Sequence, residues 1–174
     1  MRRFLSRFLR ILVIVLLVPV LAYGALALVV GRDHVWATVF GPGNRAPVDF
    51  ATLQPADTPN RYLVCPPAQC ARADAESPVY PVPADRLRAA WAEVIAKHGA
   101  TLLSSGAEQI DAEVRTPWLR FPDLVTVRIV PLGPDRSTVA IYSRSLYGHS
   151  DLGVNAARVK AWMAEVEAGL RAVS

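Results

Sequence analysis

Between Ile11 and Val30 the chain runs for 20 residues without a charge, ILVIVLLVPVLAYGALALVV. A helix of that length spans about 30 Å, the thickness of the hydrocarbon core of a bilayer. Pro19 and Gly24 interrupt the run, and both are tolerated in membrane helices. Arg2, Arg3, Arg7 and Arg10 precede it, whereas only Arg32 and Arg45 follow closely. The positive-inside rule therefore predicts a transmembrane helix over 11–30, with residues 1–10 as a basic cytoplasmic tail. A cleaved signal peptide is the competing reading, with Ala25-Leu26-Ala27 as its small-residue site, although a signal core is usually only about 7–15 residues long. Both readings export the rest of the chain.

Past the apolar run the pattern divides into a linker over 31–57 and a domain over 58–174. Nine of the 14 prolines lie between Pro42 and Pro83, so residues 31–83 read as an irregular approach, with turns at GPGNRAP (41–47). A short strand is predicted at Val79–Val82. Leu87, Ala90, Trp91, Val94, Ile95 and His98 then recur at helical spacing, with Asp85 in the first turn and Gly99 placed to end the helix. Ile110, Ala112 and Val114 alternate with Asp111, Glu113 and Arg115; Val125, Val127 and Ile129 alternate with Thr126, Arg128 and Val130; Val139, Ile141 and Ser143 alternate with Ala140, Tyr142 and Arg144. A period of two with one wet face predicts antiparallel strands. Val159, Trp162, Met163, Val166 and Leu170 form the stripe of a closing helix, with Asn155 as its expected N-cap. The order predicts a two-layer α+β fold: an antiparallel sheet of about four to five strands, two helices on one face, one transmembrane helix in front. The second sheet face, carrying Arg115, Arg128, Tyr142 and Arg144, is expected to stay wet and open. Trp91 and Trp162 are expected in the core; Trp118 and Phe121, flanking Pro117 and Pro122 in a strand connection, are expected in the core, with an exposed apolar contact as the alternative reading; Trp36 and Phe40 suit the membrane interface.

Composition sharpens the location more than the function. Mean hydropathy is +0.26, positive because of the apolar run. The net charge of +4 comes entirely from the four arginines before Ile11, since residues 11–174 carry 15 basic and 15 acidic side chains. A neutral domain argues against a nucleic-acid partner. The excess of arginine over lysine points to a GC-rich bacterial genome, which places the protein in the inner membrane with its domain in the periplasm. Cys65 and Cys70 are the only cysteines. An oxidising compartment suits a short disulfide between them; two free thiols or a metal or redox site are the other readings, and the C-x4-C spacing lacks the histidines or second pair of a zinc site. No cofactor or metal is expected.

The segment SRSLYGHSDLGVNAARV (143–159) stands apart from these generic patterns. Through Ser143, Arg144, Ser145, Gly148, Ser150, Asp151, Leu152, Gly153, Val154, Asn155 and Arg158 it resembles the signature of a bacterial and plastid family called domain of unknown function 1499. Phe121-Pro122-Asp123 is a weaker match to a Phe-x-Asp-Asp motif, with Leu124 in place of the second acid, and His149 stands where the family usually has tyrosine. The resemblance covers roughly residues 58–171. It implies a fold and an exported, often membrane-tethered setting, and it carries no established activity.

Three chemistries compete for Asp123, Arg144, Ser145, His149, Ser150, Asp151, Asn155 and Arg158. In the first they build a corner: Ser150 or Asp151 accepts backbone N–H bonds, and Arg144 or Arg158 forks onto Asp151 or Asp123. In the second, the helix start beside two serines and two arginines binds a phosphate or carboxylate. In the third they hydrolyse, although adjacent His149, Ser150 and Asp151 point in different directions and no nucleophile elbow is present. The expected protein is a non-catalytic envelope binding or interaction module, its partner an envelope protein, a lipid or an anionic small molecule. A hydrolase or transferase acting on an envelope substrate is the alternative.

Overall fold

The computed structural model describes residues 2–67, 69–70 and 72–172, with side chains from residue 7 onward. The chain divides into two units, one of residues 1–43 with 118–120, the other of residues 44–117 with 121–174. Arg2 and Arg3 of the expected tail have side chains outside the described part, as do Val173 and Ser174 at the far end.

The first unit is built on α1, Arg2–Val30, a single helix that includes Pro19. Its Arg7–Val30 stretch has a mean hydropathy of 2.8 and is long and apolar enough to cross a membrane. A short helix α2, Val35–Phe40, follows after Gly31, whose φ of +83° suits glycine at a helix end. Tyr23, Trp36 and Phe40 form a ladder of rings, with centroids 5.9 Å apart at each step. Trp118 belongs to this unit and is exposed, which corrects the expectation of a core position: it follows Pro117 in a short connection outside the regular strands and belongs to neither hydrophobic cluster. Phe121 is only partly buried.

The second unit is α+β. Its strands are β1 (Arg61–Cys65), β2 (Ala75–Glu76), β3 (Thr101–Ser105), β4 (Gln109–Arg115), β5 (Pro122–Pro131) and β6 (Ser137–Ser145); its helices are α3 (Ala84–Lys97) and α4 (Val154–Ala172). The sheet has six strands in the order β2-β1-β6-β5-β4-β3. It is mixed, because β2 runs parallel to β1, and so differs from the expected antiparallel sheet of four to five strands. Asp74 makes that parallel pair possible: its carboxylate accepts from the Leu63 N–H at 2.7 Å and from Arg61 at 2.5 Å, while its own N–H donates to the Leu63 carbonyl. The expected strand at 79–82 is a single bridge, Tyr80 to Ser137. The strand inside the proline-rich approach is β1. It is buried on both faces, so it lacks alternation, and Pro59 and Pro66 bracket it at positions where no ladder donor is needed. Cys65, its last residue, is disulfide-bonded to Cys70.

Both helices pack on one sheet face. Leu87, Trp91 and Ile95 of α3 and Val159, Trp162 and Val166 of α4 meet Val64, Ile110, Val127, Val139 and Ile141 of the sheet, with Trp91 completely buried. The opposite face is not open as expected. Residues 48–53 cross it as a strap, and Phe50 closes a second cluster with Leu63, Cys65, Ala140 and Tyr142. Burying one such aromatic contributes roughly 1.5–3 kcal/mol. Asp49 shapes the strap by accepting from the Ala51 N–H and the Thr52 hydroxyl, each at 3.0 Å. The pattern concealed this because a strap made of Val48, Phe50 and Leu53 among prolines has neither period.

Candidate functional site

Strand β6 ends in Ser143-Arg144-Ser145, and the pleat sends these side chains to opposite faces. Ser143 and Ser145 point toward α4, where Asp123 of β5 lies in register with Ser145. The chain then turns through Gly148, Leu152 and Gly153, all at positive φ, before α4 begins. Leucine is uncommon in that conformation, and here it stands 95% exposed.

On the helix face the corner is a closed polar network. Arg158 donates through Nη2 to Asp123 Oδ2 at 2.6 Å and through Nη1 to Asn155 Oδ1 at 2.7 Å. Ser145 Oγ donates to Asp123 Oδ1 at 2.6 Å, and Ser143 Oγ donates to Asn155 Oδ1 at 2.5 Å. The Asn155 amide donates to Asp151 Oδ2 at 2.7 Å, Ser145 Oγ at 3.1 Å and the Asn60 carbonyl at 3.2 Å. Asn60 in turn donates to the Gly148 carbonyl at 2.6 Å and pins the loop. Buried polar groups are tolerated only when they are satisfied in this way. Burial is deep: Asp123 and Asn155 are 3% and 0% exposed.

Helix α4 is capped by Asp151 rather than Asn155. The Asp151 carboxylate accepts from the Gly153 N–H at 2.9 Å and the Asn155 N–H at 2.8 Å. A full negative charge suits the helix N-terminus better than an amide, while Asn155, inside the first turn, turns its donor and acceptor into the domain. Of the eight expected residues, five therefore meet: Asp123, Ser145, Asp151, Asn155 and Arg158. Ser150 contributes only a 3.3 Å contact from the Leu152 N–H. His149 is exposed and bonds none of the serines or acids of the corner.

Arg144 lies on the opposite sheet face and pairs with neither Asp123 nor Asp151. Its Nη1 donates to the Asn44 carbonyl at 2.9 Å, and its guanidinium sits 6.0 Å from the centre of the Tyr142 ring. Burial pulls the Arg144 pKa below its ordinary value, and the nearby Arg45 charge adds to that. Its neighbours have carboxylates: Arg61 pairs with Asp74 at 2.5 Å, Arg45 with Glu113 at 2.6 Å, and Arg115 with Glu113 at 2.5 Å. Among the described residues, no carboxylate pairs with Arg144. It lines a cleft of about 460 Å³ together with Asn44, Thr58, Arg61, Tyr142 and Ser145. Asn60 and the role of 44–58 as a cleft wall escape sequence reasoning, because the stretch reads only as turns and proline-rich approach. Among the described residues no three metal-ligating side chains come together.

No curated protein matches the chain. A family model described as protein of unknown function, DUF1499, matches residues 48–166, from the strap over the sheet to the last third of α4. That span takes in the closed corner, the cleft arginine and both layers of the fold, and the chain belongs to this DUF1499 family.

Proposed function

We propose that the protein is a single-pass membrane protein of the bacterial cell envelope, N-terminus in the cytoplasm, whose periplasmic α+β domain binds an anionic group without catalysis. The observation that carries the binding reading is Arg144: a half-buried guanidinium in a polar cleft, with no carboxylate partner among the described residues. A desolvated charge without a counter-ion favours an incoming carboxylate or phosphate, and the planar guanidinium fork matches either one. The neighbouring Tyr142 ring and the Asn44 carbonyl hold that fork in place. The corner residues supply the rigid strand end from which Arg144 projects. They are no hydrolytic set, because the Ser143 and Ser145 hydroxyls are engaged by Asn155 and Asp123, and Asp123 is neutralised by Arg158.

The full chain in detergent is titrated with inorganic phosphate and with citrate while its melting temperature is followed. Binding to the native state raises the melting temperature with ligand concentration. Arg144→Gln is expected to remove the rise and leave the ligand-free melt within a few degrees of wild type. An unchanged rise in Arg144→Gln rejects the site. A phosphatase fusion after Gly31 tests the orientation: activity is expected, and an inactive fusion rejects the exported domain.

A further inference from the structure

We propose that residues 118–120 form a second, interfacial membrane anchor, seating Trp118 and Leu119 among the lipid headgroups at the Val30 end of α1. The inference rests on the reading of α1 as a membrane-spanning helix.

Trp118 and Leu119 are 84% and 47% exposed, an unusual pair of apolar side chains to leave together in water. Their backbone is treated in the opposite way. The Trp118 carbonyl accepts from Arg32 Nη2 at 2.9 Å, and the Leu119 carbonyl accepts from both Tyr23 Oη at 3.0 Å and Trp36 Nε1 at 2.5 Å. Arg120 Nε donates to Asp33 Oδ1 at 2.6 Å. Apolar side chains pointing out, with carbonyls satisfied from within the protein, are what a low-dielectric surround requires of a non-helical segment.

Depth comes from Tyr23. It lies seven residues before Val30, about 10 Å back along the helix axis, inside the apolar Arg7–Val30 span. A bond from its hydroxyl to Leu119 holds the tip at the level of the helix's own outer turns. Tyr23 and Trp36, whose rings meet at a tilt, are the amphipathic rings favoured at that level, and Phe40 stacks on Trp36. Arg32 and Arg120 flank the tip at a depth where anionic headgroups lie. A lipid surface therefore matches the patch in depth and ring chemistry, and Arg32 and Arg120 outnumber Asp33 there by one positive charge.

The test places a nitroxide on the full chain in phosphatidylcholine–phosphatidylglycerol vesicles, at one new cysteine at a time: Leu17→Cys, Trp118→Cys, Leu119→Cys and Asp135→Cys. Cys65 and Cys70 are disulfide-bonded and leave no native thiol to label. Collision with oxygen relative to a water-soluble nickel chelate reads depth. Labels at 118 and 119 are expected to give a ratio several-fold above the exposed loop position 135 and below the mid-helix position 17. The Leu119→Cys variant retains Trp118 and the carbonyl bonds, so the tip is read even where loss of Trp118 perturbs it. Ratios at 118 and 119 equal to that at 135, with 17 still high, overturn the anchor while leaving the spanning helix intact. A low ratio at 17 overturns the spanning helix itself, and the anchor with it. Labels at 118 and 119 shielded from both reagents mean a protein partner covers the tip, which also overturns the proposal.

Discussion

Arg158 reaches from the second turn of α4 to Asp123 on β5, Nη2 to Oδ2 at 2.6 Å, with side chains only 10% and 5% exposed. The pair ties helix to sheet at one corner of the second unit. Each charge has further partners: Asp123 accepts from Ser145, and Arg158 donates to Asn155. Breaking a buried pair by removing one member strands the other, and that costs more than the pair contributes net.

Asp123→Ala and Arg158→Met should therefore each destabilise the domain by about 3–5 kcal/mol. The double variant should lose clearly less than the sum, because the second removal no longer strands a charge. Denaturant unfolding of the four proteins checks this. Additive losses would mean that the two side chains act independently and that the corner is no network.

Asp151→Asn should lower stability by about 0.5–2 kcal/mol, the range for a weakened N-cap. Asn155→Ala should cost at least as much, since it leaves Ser143, Arg158 and the Asn60 carbonyl short of partners in a dry corner. Thermal melts of the two variants rank them. An Asn155→Ala protein as stable as wild type would remove Asn155 from the fold's energetics.

Tyr80 has a buried hydroxyl with no hydrogen-bond partner among the described residues. Burial, with a smaller push from Glu167, raises its pKa well above the usual value. Tyr80→Phe removes an unsatisfied polar atom at nearly constant shape and should be neutral, or stabilising by up to about 1–3 kcal/mol. The pH sign follows. A raised folded-state pKa means stability that is complete below the unfolded value near pH 10 and is lost as pH rises above it. The phenylalanine variant should show a shallower alkaline decline above about pH 10 than wild type, read from melting temperatures across that range. Identical alkaline slopes would mean that Tyr80 ionises as freely folded as unfolded.

The amino-acid sequence by itself determined those elements whose side chains repeat with a period. The apolar run to Val30, the stripe of α3 around Trp91, the stripe of α4 around Trp162 and the alternation in β4, β5 and β6 are local facts, set by whether every second or every third-to-fourth residue meets the core. The corner motif was legible for the same reason, because glycines, a capping acid and a basic helix start act within a few residues of one another. Partner choice was not local. Arg144 and Arg158 are equally plausible mates for Asp123 along the chain, and only the pleat, which sends Arg144 to the far face, decides for Arg158. Asn155 and Asp151 are both acceptable caps by residue type, and only the partners that the sheet and Asn60 supply hold Asn155 inward. The strap at 48–53 and the strand at 61–65 carry no period at all, since a segment buried on both faces, or pinned between prolines, shows its place only through the residues that cover it. What Arg144 faces was decided in three dimensions too: its cleft is walled by residues about 100 positions away, at Asn44, and depends on which nearby carboxylates other arginines already hold.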